Sequence, residues 1–281
     1  MENFKLTNGT TIPKIGFGTY KAGNGNCESA VIDAINSGYT YFDTAAFYKN
    51  ENDIAKAIKN SNVKREDLII ASKVWREDLG YDETMKAFEK SLKELNTDYL
   101  DVYLIHWPKE NPFDVSWKQK DIKTWKAMEE LYKAGRIKVI GVSNFLPHHL
   151  INLMENCEIK PMVNQIESHI GYLQKTALDF CVKNDILVQA WSPLGRGRVL
   201  GEESLTKMAE KYGKTVPQLC IRFLYQLGIM PIIKSSSTYR MKENLDIFDF
   251  SIERDDMYYL MCLPQIGWSG EHPDRQRVYF D

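Results

Sequence analysis

The chain is poor in the features that mark a secreted, membrane-bound or nucleic-acid-binding protein. Its five cysteines, Cys27, Cys157, Cys181, Cys220 and Cys262, are odd in number, scattered, and form no C-x-x-C pair. That argues against a disulfide framework and against a zinc site, so a reducing compartment and no metal are expected. No apolar run approaches the roughly 18 residues of a spanning helix, and the N-terminal MENFKLTNGTTIPKIGFGTY has no basic region followed by an apolar one. The expected location is the cytoplasm, with no membrane partner. Asn8-Gly9-Thr10 spells a glycosylation sequon, but without a secretion signal it reads as the tip of an Asn-Gly hairpin. Neither sign of charge dominates: 36 Lys and Arg stand against 38 Asp and Glu. With no long like-charge run, nothing points to nucleic acid. A small-molecule substrate, neutral or anionic, is the natural partner, and a monomer is the expected assembly. The Rossmann glycine fingerprint is also missing, because GFGTYK supplies Gly16 and Gly18 but Lys21 where a third glycine belongs, and GRGRVLG has the wrong spacing.

What is present is a globular composition, 43% hydrophobic and 26% charged over 281 residues. Eight short β-rich runs recur along it: KIGFG (14–18), YTYFDT (39–44), LIIASKV (68–74), YLDVYLIHW (99–107), IKVIGVSNF (137–145), PMVNQIES (161–168), ILVQAWSP (186–193) and IMPIIKSS (229–236). Between them lie segments with apolar residues three and four apart, over 28–37, 82–95, 117–134 and 216–225, which predict helices. NTDYL and KAGRIKV place polar or glycine breakers between a helix and the next strand. The runs are nearly continuously apolar, as parallel strands covered on both faces require. No Pro/Gly/Ser linker divides them, so the chain reads as a single α/β domain over 1–281, a (β/α)8 TIM barrel with an N-terminal β-hairpin closing its bottom. An open doubly wound sheet is the second choice. The segment 108–119 shows no obvious element, and the irregular tail LPQIGWSGEHPDRQRVYFD is expected to cover one end.

In such a barrel the strand C-termini converge on one face. Asp43 ends one run and Tyr48 follows it. Lys73 lies near the end of the next, flanked by core residues, so its ammonium needs a buried partner, for which Asp43 is the candidate. His106 ends the fourth run, level with them. Singly, each has a bland reading as a helix cap, a packed ring, a surface lysine or a core histidine. Together they permit proton delivery to a carbonyl. An ammonium beside a phenol lowers its pKa from about 10, Asp43 holds Lys73 in place, and His106 orients the carbonyl oxygen. On this reading Lys73 lies between the oxygens of Asp43 and Tyr48. Such chemistry needs a hydride donor. The late strand ends supply amide and hydroxyl partners (Ser143, Asn144, Gln165), an aromatic face (Trp191), and in KSSSTYRMKEN a basic segment whose Lys234, Ser235 and Arg240 could take a phosphate monoester.

GYTYFDTAAFYKNE, ASK, LIHWP, GVSNF, NQIE, WSPLG and IKSSSTYRMKEN occur in this order over essentially the whole chain. Together they resemble the aldo-keto reductase superfamily, and within it the microbial diketogluconate reductase and protozoal prostaglandin F synthase branch, with which Trp191 agrees. The resemblance implies a (β/α)8 barrel that reduces aldehydes and ketones with NADPH through the tetrad Asp43, Tyr48, Lys73 and His106, with Tyr48 as general acid. It also implies that Ser143, Asn144 and Gln165 bind the nicotinamide carboxamide, that Trp191 stacks on the ring, and that Ser192 and Leu194 lie along the pyrophosphate. Lys234, Ser235, Arg240 and Asn244 would hold the 2'-phosphate and adenine. Thr40, Ala55 and Ile233 depart from the family pattern without removing a catalytic group. An aromatic substrate pocket of Phe47, Trp75 and Trp107, joined by Trp117 and Trp268, is expected. Two other readings compete: a cofactor-binding barrel with a regulatory or structural role, and a metal-dependent hydrolase, which would need more strand-end histidines than His106.

Overall fold

The computed structural model describes residues 3–280. The first two strands, β1 (Asn3–Lys5) and β2 (Thr11–Pro13), pair antiparallel around Asn8-Gly9. Gly9 takes φ +85° and the Asn8 side chain accepts from the Thr10 amide at 3.0 Å, the conformation for which Asn-Gly is chosen at hairpin tips. Asn8 Nδ2 also donates to the Lys138 carbonyl at 2.9 Å, tying the hairpin to the N-terminal end of a barrel strand. With Ile12 and Ile15 buried, the hairpin closes the bottom.

The eight apolar runs become β3 (Gly16–Gly18), β4 (Tyr41–Asp43), β5 (Ile69–Val74), β6 (Leu100–Ile105), β7 (Ile137–Ser143), β8 (Val163–Glu167), β9 (Leu187–Trp191) and β10 (Met230–Ile233). All pair parallel in chain order, and β10 returns to β3 to close the barrel. Their residues are buried almost throughout, because helices cover the outside and side chains fill the inside. The filling is tight at Gly16, where a Cβ would lie 2.7 Å from Ile232 and 2.8 Å from Tyr41.

The helices start and stop where their ends predict. Asn26 caps helix Cys27–Ser37 by accepting from the Ser29 amide, and Gly38 ends it in the left-handed region. Asn96 does the same for helix Tyr81–Leu95 at φ 49°, and Thr215 with Gln218 forms a capping box on helix Val216–Gln226. The helix expected over 117–134 is found as Trp117–Lys133, so the segment without an element within 108–119 ends at its start, just after Asp114 accepts from the Ser116 amide at 2.8 Å. Among the described residues no helix is long and apolar enough to cross a membrane.

Candidate active site

Strand register brings the first polar groups together. Asp43 of β4 pairs with Ala71 of β5, and Lys73 lies two residues further on, so both side chains face the same interior. Ser143, Gln165 and Gln189 are paired across β7, β8 and β9 in one level. The result is a continuous buried network. Gln189 donates to the Tyr41 hydroxyl at 2.9 Å, Gln165 donates to Gln189 Oε1 at 3.1 Å and to Asp43 Oδ1 at 2.7 Å, and Lys73 closes on both Asp43 oxygens at 2.7 and 2.8 Å. A buried, hydrogen-bonded polar chain of this kind is rigid.

Tyr48 reaches the same place by a short excursion from β4. After an extended Ala45 the chain makes one 3-10 turn, Ala46–Tyr48, and is pinned beyond it. Thr44 donates to Asn50 at 2.8 Å, Asn50 donates to the Thr19 carbonyl at 3.0 Å, and the buried Glu51 accepts from Ser72 and Ser91. The Tyr48 ring stands 5.7 Å from the His106 ring and 5.2 Å from the Lys73 ammonium, centroid distances that gather all four candidate catalytic residues at one point.

The contact of Lys73 with Tyr48 differs from the expectation. Lys73 spends its three donors on the two Asp43 oxygens and on the Thr44 carbonyl at 2.8 Å, so none is left for the Tyr48 oxygen, and its ammonium stands 5.2 Å from the centre of the Tyr48 ring. Nor is its charge enough to bring the phenol's pKa down in the resting protein. Burial, with the Asp43 carboxylate adding to it, holds Tyr48 well above the ordinary tyrosine value. Burial also lowers the Lys73 pKa, against which the Asp43 carboxylate acts. His106 is pushed well below its usual value by burial and by the Lys73 and Arg76 charges, so its imidazole is neutral. Its Nδ1 is buried without a hydrogen-bond partner among the described residues.

Asp43, Tyr48 and His106, with Lys73 buried behind them, form the floor of a cavity of about 950 Å³ whose walls include Phe47, Trp75 and Trp107. Phe47 and Trp75 stack at 3.9 Å between centroids, and Trp75 meets His106 edge-on at 5.0 Å. Trp117 and Trp268 are not in the lining. Trp117 packs on His149 at 4.8 Å and Trp268, within the tail, on Tyr172 at 5.9 Å. The tail itself does cover the opening, through Glu271, His272, Arg275 and Arg277. Ser269 anchors it by bonding the buried Glu167 at 2.6 and 2.9 Å, while Asp274 faces His149 Nε2 at 3.2 Å and pairs with Lys109. His149 Nδ1 accepts the Leu146 amide, so the neutral ring carries its proton on Nε2, facing Asp274.

Ser143, Asn144, Gln165, Trp191, Ser192, Leu194 and Lys234 line the other arm of the cavity. Several are already committed to one another. Ser143 donates to the Gln165 carbonyl at 2.7 Å, Asn144 donates to the His106 carbonyl at 2.9 Å and to Ser143, and Trp191 donates to Asn144 Oδ1 at 2.9 Å. What remains is acceptor capacity, at Gln165 Oε1 and at the second lone pair of Asn144 Oδ1, which fits the NH2 of a primary carboxamide. Asn144 and Ser192 hold positive φ, 64° and 51°, strain that the surrounding bonds maintain. Ser235, Arg240 and Asn244 fall outside the lining. Ser235 closes a turn on Ser237 and the other two lie on helix Thr238–Leu245. Sequence reasoning missed Arg76, Lys109, Arg196 and the arginines of the tail, for a lone basic residue in a loop carries no signal until the loop is folded. Arg196 stands 5.6 Å over the Trp191 ring.

The model of the aldo/keto reductase family matches residues 14–261. A Bacillus subtilis protein named glyoxal reductase is 48% identical over 274 residues, covering 97% of this chain and 96% of the relative. The 9,11-endoperoxide prostaglandin H2 reductase of Trypanosoma cruzi is 40% identical over 273 residues, covering 96% and 94%. A solved aldo-keto reductase complexed with NADPH is 32% identical, with a TM-score of 0.88, covering 100% of this chain and 94% of that one.

Proposed function

The chain belongs to the aldo/keto reductase family and reduces aldehydes and ketones to alcohols with NADPH, and we propose that Tyr48 is its proton donor and that small dicarbonyl compounds of the glyoxal type are among its substrates. The observation that carries the residue roles is the meeting of Tyr48, His106 and the buried Asp43–Lys73 pair on the floor of one cavity. NADPH, when bound, supplies the hydride. The neutral His106 donates a hydrogen bond to the carbonyl oxygen and fixes its orientation. Tyr48, kept protonated by its raised pKa, gives its proton to the oxygen as negative charge develops there. The phenolate left behind lies over the Lys73 ammonium, whose charge stabilises it and whose position Asp43 holds.

For the cofactor, Gln165 Oε1 and Asn144 Oδ1 are the acceptors for the nicotinamide carboxamide, Ser143 orients Asn144, and Trp191 offers its face. Ser192 and Leu194 lie along the pyrophosphate. Lys234, at the cavity's edge, and Ser235, Arg240 and Asn244 beyond it, are the side chains for the 2'-phosphate and adenine. Phe47, Trp75 and Trp107 hold the substrate's body. A single barrel domain over 1–281, monomeric and cytoplasmic, completes the reading. All five cysteines are free, in keeping with a reducing compartment.

Glyoxal and NADPH, with the loss of nicotinamide absorbance followed, provide the test. Tyr48→Phe is expected to lose about 10²- to 10⁴-fold in kcat while still quenching on NADPH addition as wild type does. A Tyr48→Phe enzyme with full turnover would remove Tyr48 from the role.

A further inference from the structure

One half-buried cation in the cavity has no counterpart. Arg76 follows Trp75 directly after β5 and is half-buried in the substrate end of the cavity. Its guanidinium lies 4.6 Å from the Trp75 ring centre and 5.8 Å from that of Trp107, held against two indoles of the same wall. Among the described residues its side chain makes no hydrogen bond and no ion pair. Of the other cations in the lining, Lys109 pairs with Asp274 and Arg277 with Glu271 at 2.9 Å, whereas Lys21, Lys234 and Arg275 are exposed to water. Glu271 and the adjacent Glu77 are the acids whose field reaches Arg76, but neither bonds it, and the Glu271 carboxylate is taken by Arg277, with Arg196 at 3.9 Å.

A guanidinium partly withdrawn from water and left without an anion is costly, and the π-faces of two indoles offset that only in part. The wall around it is otherwise aromatic. We propose that Arg76 is the specificity-determining residue for carbonyl substrates that carry a carboxylate at the far end of a short apolar or aromatic body. In this arrangement Phe47, Trp75 and Trp107 take the body, His106 and Tyr48 take the carbonyl oxygen, and Arg76, on the Trp75 ring that also meets His106, takes the carboxylate through its planar N–H fork. The Glu271 carboxylate behind it disfavours a dianion, so a carboxylate is accepted in preference to a phosphate ester. This assignment rests on the reductase reading of the site.

The test compares 4-formylbenzoate with 4-formylbenzamide, which share a ring and an aldehyde and differ in charge. Wild type should favour the benzoate in kcat/KM by about ten- to a hundredfold, the worth of a charge-assisted hydrogen bond. Arg76→Met should abolish that ratio, mainly through the KM of the benzoate, and Arg76→Lys should restore part of it. A ratio near one in wild type, or an equal loss on both aldehydes in Arg76→Met, overturns the proposal; the second result would make Arg76 a packing residue for Trp75. Turnover of neither aldehyde by wild type with NADPH would instead sink the reductase reading. Arg76 is then decided by binding alone. Quenching of tryptophan fluorescence by benzoate and not by benzamide, lost in Arg76→Met, supports the assignment, and equal quenching by both ends it.

Discussion

The floor of the cavity and its mouth are built on opposite principles. On the floor, Tyr41, Gln189, Gln165, Asp43 and Lys73 are buried and each bonds the next. At the mouth, Lys109, Asp274, Glu271, Arg277 and Arg196 are partly solvated and joined by ion pairs between distant loops. Low dielectric makes each floor contact strong and each broken contact expensive, whereas screening keeps the mouth pairs weak and exchangeable. A reaction centre needs its donors fixed, and an entrance needs to open.

The largest expected effect comes from breaking the floor at its ion pair. Lys73→Met should cost about 3–5 kcal/mol in urea unfolding, because Asp43 is left buried and uncompensated, together with nearly all reductase activity. Adding Asp43→Leu should return much of the stability and none of the activity. If the single variant unfolds like wild type, the floor is not the rigid element described.

Gln165→Leu comes next. It keeps the volume but removes a hydrogen bond to the Asp43 carboxylate, so roughly 1–3 kcal/mol of stability should go. The KM for NADPH should rise with it, since the carboxamide acceptor is lost.

A third contrast is in pH. His106 is held well below the ordinary histidine value and Tyr48 well above the ordinary tyrosine value, so both keep their working protonation states across the neutral range. The kcat/KM for reduction should therefore be flat between about pH 6.5 and 9. A step in that interval would mean that one of these assignments is wrong. The mouth should respond at lower pH. His149 is lowered from about 6.5 to about 4, by burial first, against the pull of the Asp274 carboxylate and with His148 and Lys109 adding repulsion. Because the folded form resists a proton that the unfolded chain accepts, its stability falls as pH drops from 6.5 towards 4. Hydrogen exchange in residues 265–280 should rise over that window while the barrel strands stay protected.

The smallest effect belongs to Lys109→Ala. A partly exposed pair with Asp274 is worth up to about 1 kcal/mol, so stability should barely move. Exchange in the tail at pH 7 is the sensitive measurement.

The same division explains what could be read from the chain. Asp43, Lys73 and His106 stand at or near the ends of apolar runs, and barrel topology sends every run's end to one rim, so their meeting was legible before any coordinate. Tyr48 was legible only as a neighbour. Whether its oxygen would touch Lys73 depended on the single turn at Ala46–Tyr48 and on the Thr44 carbonyl, which takes the ammonium proton that a direct contact would need. Trp117 and Trp268 misled for a related reason: an aromatic residue in an irregular segment advertises burial, but not which surface it buries against. The pairs at the mouth had no sequence signal at all, as Lys109 and Asp274 are 165 residues apart.

The sequence by itself determined the periodicity, hence eight parallel strands and a closed barrel, and through strand ends which candidate catalytic groups would meet. Only the tertiary structure decided the protonation states of Tyr48 and His106, the commitment of Lys73 to three oxygens, and the solitary position of Arg76. Strand placement follows from local apolar patterns, but burial, electric field and the pairing of charges are sums over residues that only folding brings together.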